Sequence, residues 1–251
     1  MPADLARFYP SSYYGLPQAD ALDELARSER HKVDLLQRYI TPGRLVEIGA
    51  GFGAFARAAR NAGFDVTAIE MDQRSVDYLQ TVVGVHAINS SHPEEALRTL
   101  PPSRAIVMWH SIEHLPQPWQ VLERAAANLE PGGVLVVATP NPQALQFRLL
   151  GSRWAHVDAP RHLFLLPASA LAARVRELGL RRVSITTSDP AGRHWNRFGW
   201  EYGLRRHPAA RPSTRTTRML SLLLTQTLRP IEARGLNGTA YTAVFVKFAE
   251  A

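Results

Sequence analysis

The stretch RLVEIGAGFGAFARAARNAGFDVTAIE, residues 44–70, constrains this chain more than any other. A short apolar run leads into glycines at 49, 51 and 53, an alanine- and arginine-rich segment runs to Gly63, and a second apolar run closes on Glu70. A brief apolar run before a glycine turn reads as a buried strand, and the segment behind it as a helix. Strand, tight turn, helix and strand make the repeating unit of a parallel sheet. In that unit the free N–H groups at the helix start face a ligand at the carboxyl edge of the sheet. Glycine at alternate positions lets the turn close and lets the backbone meet that ligand with no Cβ between them. An acid about 20 residues further on, at the end of the next strand, is where a carboxylate accepts the hydroxyls of a ribose. The stretch therefore points to an adenosine-type cofactor. It also satisfies the relaxed dinucleotide fingerprint G-x-G-x-x-G/A, so taken alone it leaves open which one.

The rest of the chain repeats the alternation. ALDELARSERHKVDLLQRYI (21–40) carries apolar residues at helical spacing and stops before Pro42 and Gly43. After Glu70, SVDYLQTVV reads as a helix, GVHAI as strand three, PEEALRTL as a helix with proline in its first turn, and RAIVMWH as strand four. WQVLERAAANLEPGG gives a helix with a Pro-Gly-Gly stop and VLVVAT a fully apolar fifth strand; a helix at ALAARVRELG and a strand at RRVSITT follow. A long interruption over about 189–238 precedes a last strand at TAYTAVFVKF. Apolar strands alternating with amphipathic helices predict an α/β fold, a parallel sheet covered on both faces.

Composition sets bounds. With 251 residues, one main domain is the expectation, and with no cysteine there are no disulfides or thiolate metal sites. No apolar run approaches the roughly 20 residues that span a bilayer, and the N-terminus lacks a secretory pattern, so a cytoplasmic protein is expected. The formal charge is +7, and Lys32 and Lys247 are the only lysines. Arginine binds phosphate and carboxylate well, but a GC-rich coding sequence supplies it by default.

In order and content, VEIGAGFGAFARAARNAGFDVTAIEMD followed by MWHSIEHLPQPWQVLERAAANLEPGGVLVVATPN resembles the class I S-adenosylmethionine-dependent methyltransferases. The resemblance is closest to the small-molecule branch that includes ubiquinone O-methyltransferases and natural-product methyltransferases, and covers roughly residues 30–187 and the last strand. It implies a Rossmann-like, doubly wound sheet of seven mostly parallel strands with an antiparallel last strand, and S-adenosylmethionine as cofactor. Glu47, Gly49, Ala50, Gly51 and Gly53 match the E-x-G-x-G-x-G loop that holds the methionine end. Glu70 matches the ribose-binding acid, and Met71 the residue packed on the adenine. Relatives place Gly-Asp after strand three, where this chain reads Asn89-Ser90-Ser91-His92, so Ser91 is the expected polar contact. Trp109 and His110 fall beside the methionine and the methyl group.

A sulfonium methyl carbon is already activated, so the protein must chiefly align a nucleophile and, for a hydroxyl, help remove its proton. Histidine suits that task. His110 and His162 are the expected catalytic groups, and His156, Asp158 and Arg161 the expected substrate side in the loop HVDAPRHL. Glu113-His114 is read as the start of a helix, with a structural role. No metal is expected: a set of Glu113, His114 and Asp158 is conceivable, since some quinone methyltransferases use a divalent ion, but nothing in the spacing demands it. Residues 1–40 form an N-terminal lid and helix, with Tyr13 and Tyr14 toward the substrate, residues 41–188 the cofactor-binding core, and residues 239–251 its last strand. The insertion at 189–238 contains Met219, Leu220, Leu223, Leu224, Leu228 and Ile231 at helical spacing. It reads either as a buried cap over the substrate or as a helix dipping into a membrane; burial is the expected arrangement. The partner is a small-molecule acceptor, without nucleic acid, because the Asn-Pro-Pro-aromatic motif of base-amino methyltransferases is missing after strand four. A cofactor-binding protein without turnover, then a nucleic-acid methyltransferase suggested by the basic charge, and more remotely a dinucleotide reductase, are the other readings.

Overall fold

The computed structural model describes residues 8–9, 15–205 and 214–248. Seven strands make one sheet: β1 (Arg44–Ile48), β2 (Asp65–Glu70), β3 (His86–Asn89), β4 (Ser103–Trp109), β5 (Leu129–Pro140), β6 (Leu180–Thr186) and β7 (Ala240–Lys247). Their order is β3-β2-β1-β4-β5-β7-β6. Neighbours pair in parallel from β3 to β5, while β7 runs antiparallel to β5 and β6 on either side. This is the α/β sheet expected from the sequence, with its antiparallel last strand.

The two faces of the sheet follow from alternation along each strand. On β1, Leu45 enters one core and Val46 the other. The first face carries Val46, Ile106, Met108 and Leu135 beneath α5 (Pro93–Thr99), α6 (Pro118–Asn128) and α8 (Ala168–Glu177). The second carries Leu45, Val107, Val134 and Val136 beneath α1 (Ala19–Ser28), α2 (Arg30–Gln37) and α3 (Ala54–Asn61). Between β2 and β3 runs α4 (Gln73–Tyr78); α7 (Leu145–Leu150) follows β5, and α9 (Pro190–Gly203) and α10 (Arg215–Glu232) lie between β6 and β7.

Several elements differ from the sequence reading. The single helix expected over 21–40 is two, α1 and α2, broken at Glu29, which lets Leu22 and Ala26 of one and Val33 and Leu36 of the other all reach the core. Strand β5 begins at Leu129, ahead of the Pro-Gly-Gly taken as a stop, because Leu129 pairs with Ser103 of β4 and the extra residues before Val134 are taken up by a register shift in β5. No regular helix starts at Glu113; residues Ile112–His114 form one 3-10 turn, and α6 begins at Pro118.

The insertion is tied to the sheet by polar contacts. Asp189 caps α9 by accepting from the Gly192 N–H at 2.6 Å and accepts from the Thr242 hydroxyl of β7 at 2.6 Å. Asn196 Oδ1 accepts from the Thr239 N–H at 2.7 Å. Glu232, buried at the end of α10, accepts from Gln146 Nε2 and Trp200 Nε1, each at 2.9 Å, and so joins α7, α9 and α10. Burial raises its pKa against the pull of those two donors. The inward side of α10 carries Ser221 and Glu232, both buried, with Leu224 and Leu228 half-buried, whereas Met219, Leu220, Leu223 and Ile231 face outward. The expected burial of the leucine-rich face is therefore met only at Leu224 and Leu228, because the bonds of Glu232 to Gln146 and Trp200 turn the other four away from α7 and α9.

Gly199 marks how closely α9 and α7 approach. A Cβ there would lie 2.0 Å from Gln146 Oε1, whose amide group is fixed by Asn196 and Glu232. Gly199→Ala is expected to destabilise the protein by about 1–3 kcal/mol through overpacking; an unchanged melting temperature would show that the Gln146 network yields freely.

Candidate cofactor cavity and histidine cluster

The turn after β1 is shaped by what each glycine faces. Gly49 (φ 77°) and Gly53 (φ 78°) sit in the left-handed region and against protein. A Cβ on Gly49 would lie 2.5 Å from Ser111 Cβ, and one on Gly53 2.5 Å from Leu79 Cδ2. Gly51 (φ 56°) has nothing within 4 Å of where its Cβ would stand. It opens into a cavity of about 420 Å³ lined by Gly49, Gly51, Glu70, Met71, Ser91 and His110, with Tyr9 of the N-terminal segment on its rim. Ser90 lines it beside Ser91, and Phe52 beside the glycines. Ala50 is half-buried between Gly49 and Gly51.

Glu70, at the tip of β2, is buried and locks this turn. Its Oε2 accepts from the Gly51 N–H at 2.9 Å, and its Oε1 from the N–H groups of Met71 at 2.7 Å and Asp72 at 3.2 Å. Burial raises its pKa more than these three donors lower it. Glu47 on β1 is also buried, and its Oε2 has no partner. Burial drives its pKa well up, with the Lys32 charge as the main opposing influence. An unpartnered buried carboxylate oxygen and a glycine open to a cavity fit a ligand carrying an ammonium at one end and a ribose at the other. Trp109 packs edge-on against Phe55 at 5.4 Å with Lys32 Nζ 4.8 Å from its ring, and lies outside this cavity.

Beyond β4 the chain gathers four histidines. His110 has φ 56°, the one described non-glycine residue with positive φ, and its N–H donates to the Ala138 carbonyl at 2.9 Å. Such a conformation costs on the order of 1–3 kcal/mol and persists where surroundings enforce it. His110 Nδ1 stands 3.5 Å from Glu113 Oε1, an ion-pair rather than a hydrogen-bond distance. Glu113 is fully buried, and its Oε2 accepts from the Thr139 hydroxyl of β5 at 2.9 Å. Burial works to raise the Glu113 pKa, but His110 first, then His114 and His162, outweigh it and hold it down to about 2. Glu113 is thus a buried carboxylate charged at neutral pH.

His156 is buried next to Trp154, its ring stacked 6.5 Å from that of His110 and 6.1 Å from that of His162. Burial, then the neighbouring His110 and His162, lower its pKa to about 3. His162 Nδ1 lies 2.8 Å from the His156 carbonyl oxygen, and its ring meets that of His114 edge-on at 4.7 Å. His114 Nδ1 lies 2.8 Å from the Tyr9 hydroxyl and 3.1 Å from the Arg161 carbonyl oxygen, and burial lowers its pKa. Trp195 of α9 closes over the group, 5.1 Å from His110 and 5.2 Å from His156.

The sequence-expected residues are thereby placed. Gly49, Gly51, Glu70, Met71, Ser91 and His110 share the cavity; His156 and His162 lie behind it in the cluster, and Asp158 pairs with Arg161 through two bonds of 2.8 and 2.9 Å. Tyr13 and Tyr14 lie outside the described residues. Asp158 is not part of the grouping able to hold a cation: among the described residues, Glu113, His114 and His162 each offer one ligand atom, all within 4.8 Å of one another. Sequence reasoning missed Thr139 and Trp195 and gave Glu113 only a structural role, whereas Tyr9 belongs to the N-terminal aromatics that the sequence offered for the pocket. The three-residue spacing of His110 and Glu113 was visible, but reading Glu113 as a helix start hid its burial.

A family model described as a methyltransferase domain matches residues 21–185. The chain belongs to the class I S-adenosylmethionine-dependent methyltransferases. S-adenosylmethionine is the cofactor of this family and fold. The ubiquinone biosynthesis O-methyltransferase of Bordetella avium is 28% identical over 152 residues, which cover 55% of this chain and 61% of that protein. The match thus spans less than two thirds of that relative. A SAM-dependent methyltransferase from Archaeoglobus fulgidus shares the fold with a TM-score of 0.60 at 16% identity, covering 97% of this chain and 100% of that one. So does phosphoethanolamine N-methyltransferase 2 of Haemonchus contortus, solved with S-adenosyl-L-methionine, at a TM-score of 0.56 and 12% identity, covering 97% of this chain and 59% of that one.

The three glycines separate by their surroundings. Gly51→Val is expected to abolish cofactor uptake at a stability cost set by its left-handed backbone alone, whereas Gly49→Ala and Gly53→Ala add a clash with Ser111 or Leu79 to the same backbone cost; calorimetric titration beside thermal melting reads both, and full cofactor affinity in Gly51→Val would remove Gly51 from the site. The histidine cluster predicts acid sensitivity. A pKa lowered in the folded state from 6.5 to about 3 means that the unfolded chain binds the His156 proton first, so stability present above pH 6.5 is lost as pH falls toward 3. His156 accounts for about 2 kcal/mol of loss between pH 7 and pH 5. His156→Asn should flatten urea-determined stability across that interval, and an unaltered slope would assign the acid sensitivity elsewhere.

Proposed function

We propose that the protein transfers the methyl group of S-adenosylmethionine to an oxygen or nitrogen of a small molecule, lipophilic or sugar-like, with His110 taking the acceptor's proton. The observation that carries this reading is His110 itself, held in a strained backbone conformation on the wall of the cofactor cavity with a buried carboxylate behind its ring. The cofactor supplies an electrophilic methyl carbon. Glu47 would neutralise the methionine ammonium, the Gly49–Gly53 turn would admit the methionine chain, and Glu70 would accept from the ribose. Met71 and Ser91 would border the adenine. These assignments rest on the unpartnered Glu47 oxygen, the open side of Gly51, and the cavity lining.

On the acceptor side, the chain's own residues do the work of orientation and proton removal. As His110 gains a proton, the Glu113 carboxylate stabilises the imidazolium, and the Thr139 hydroxyl keeps that carboxylate in place. His162 and His156 fix the far side of the cluster, with Trp195 and Tyr9 packed against its rings. The name carried by the Bordetella relative supports an oxygen acceptor on a lipophilic molecule, and hence a role in cytoplasmic small-molecule biosynthesis close to a membrane. We assign residues 1–40 as an N-terminal lid and helix, with α1 and α2 resting on the core, and residues 189–238 as a cap on the acceptor side that can also face a membrane.

Isotope-labelled S-adenosylmethionine incubated with the protein in host extract, then partitioned, tests the reading. Label in the organic phase is expected and identifies a lipophilic acceptor; label in the aqueous phase identifies a sugar-like one, and no transfer by a cofactor-loaded protein would overturn the proposal. His110→Gln is expected to lower turnover by about 10²–10⁴-fold with cofactor affinity little changed. Glu70→Ala should weaken cofactor binding by about 1–3 kcal/mol through lost charge-assisted hydrogen bonds; calorimetric titration without such a loss would count against its ribose role.

A further inference from the structure

We infer that the outward face of α10 docks the protein on an anionic lipid surface. Helix α10 is inside-out by the standard of a surface helix, which turns its apolar stripe to the core. Here Ser221 and Glu232 are 1% and 2% exposed, while Met219, Leu223, Ile231 and Leu220 are 66%, 55%, 45% and 43% exposed. At 100° per residue these four fall within one third of the helix circumference, and Leu222, 40% exposed, extends the patch on one side. On that same side stand Arg215, Arg218 and Arg229, all exposed.

Charge decides what covers the patch. Between Tyr202 and Phe248 the sequence contains one acid, Glu232, and it is buried among Gln146 and Trp200. The exposed side of α10 therefore offers leucines, a methionine and an isoleucine edged by arginines, with no acid among its exposed residues. A second copy of the same face would bring arginine rows together without counter-charge. A phospholipid interface answers both features: acyl chains take up the apolar residues and headgroup phosphates pair with the guanidinium row. The helix lies on such a surface rather than through it, since no helix among the described residues is long and apolar enough to cross a membrane. The same insertion carries Trp195 onto His110 and His156, so the docked face and the acceptor side of the histidine cluster belong to one structural unit. This inference concerns binding alone and does not require that methyl transfer occur.

Vesicle co-sedimentation of the full chain tests it. Binding is expected to vesicles of mixed phosphatidylglycerol and phosphatidylcholine, to weaken with added salt, and to be at least about ten-fold weaker to phosphatidylcholine alone. Replacing Met219 and Leu223 together by glutamine should lower binding about ten-fold or more. The Arg215, Arg218 and Arg229 to glutamine variant should lose the preference for anionic vesicles. Melting temperature and cofactor affinity, both expected to match the parent, establish that the variants fold. Absence of binding by the parent, or equal binding by the Met219/Leu223 variant, would overturn the inference. So would a dimer in analytical ultracentrifugation that this variant dissolves, since the face would then belong to a second copy.

Discussion

The order of the sheet reverses between β1 and β4, and the open side of Gly51 and the strained backbone of His110 stand at that reversal. From β1 the chain steps outward through β2 to β3 and then returns to place β4 on the other side of β1. The connections leaving the carboxyl ends of β1 and β4 touch at Gly49 and Ser111 and then run to opposite faces of the sheet, which opens a crevice beyond that contact. Gly49 fits against Ser111 because these two connections pass within van der Waals contact, and the Ser111 hydroxyl secures them by donating to the Ile48 carbonyl at 2.6 Å. Cofactor turn and histidine cluster are thus registered against one another by the sheet, not by the loops themselves.

Within the crevice, charge is arranged by burial. Glu47, Glu70 and Glu113 end neighbouring strands or the turns that follow them, and all three are buried. Their surroundings separate them: Glu70 is held by three backbone N–H groups, Glu113 by a hydroxyl and a ring of histidines, and Glu47 keeps an oxygen without a partner. A buried carboxylate without a full set of partners is costly, so the free oxygens of Glu47 and Glu113 are stability forgone.

Much of this was legible in the sequence because parallel strands buried on both faces leave an uninterrupted apolar signature, and because left-handed turns demand glycine. Gly49, Gly51, Gly53, Glu70 and His110 could be named on that basis. The sequence could not distinguish the three glycines, since what a Cβ would strike at Gly49 or Gly53 is set by Ser111 and Leu79, far away in the chain. Glu113 was misread for the same reason: its neighbours Thr139 and Leu163 arrive from β5 and the loop beyond it. In α10 the period of the leucines was plain, but its direction was not, because burial of Glu232 depends on hydrogen-bond partners from α7 and α9.

The place of the insertion in the connection between β6 and β7 has a consequence for how such a chain can change. Both strands belong to the far edge of the sheet, well separated from β1 and β2, so residues 189–238 can be lengthened, shortened or exchanged while the hinge points at Asp189 and Thr239 keep their bonds to β7 and α9. Descendants of this chain could rewrite one contiguous cassette and inherit the five parallel strands and the glycine turn intact.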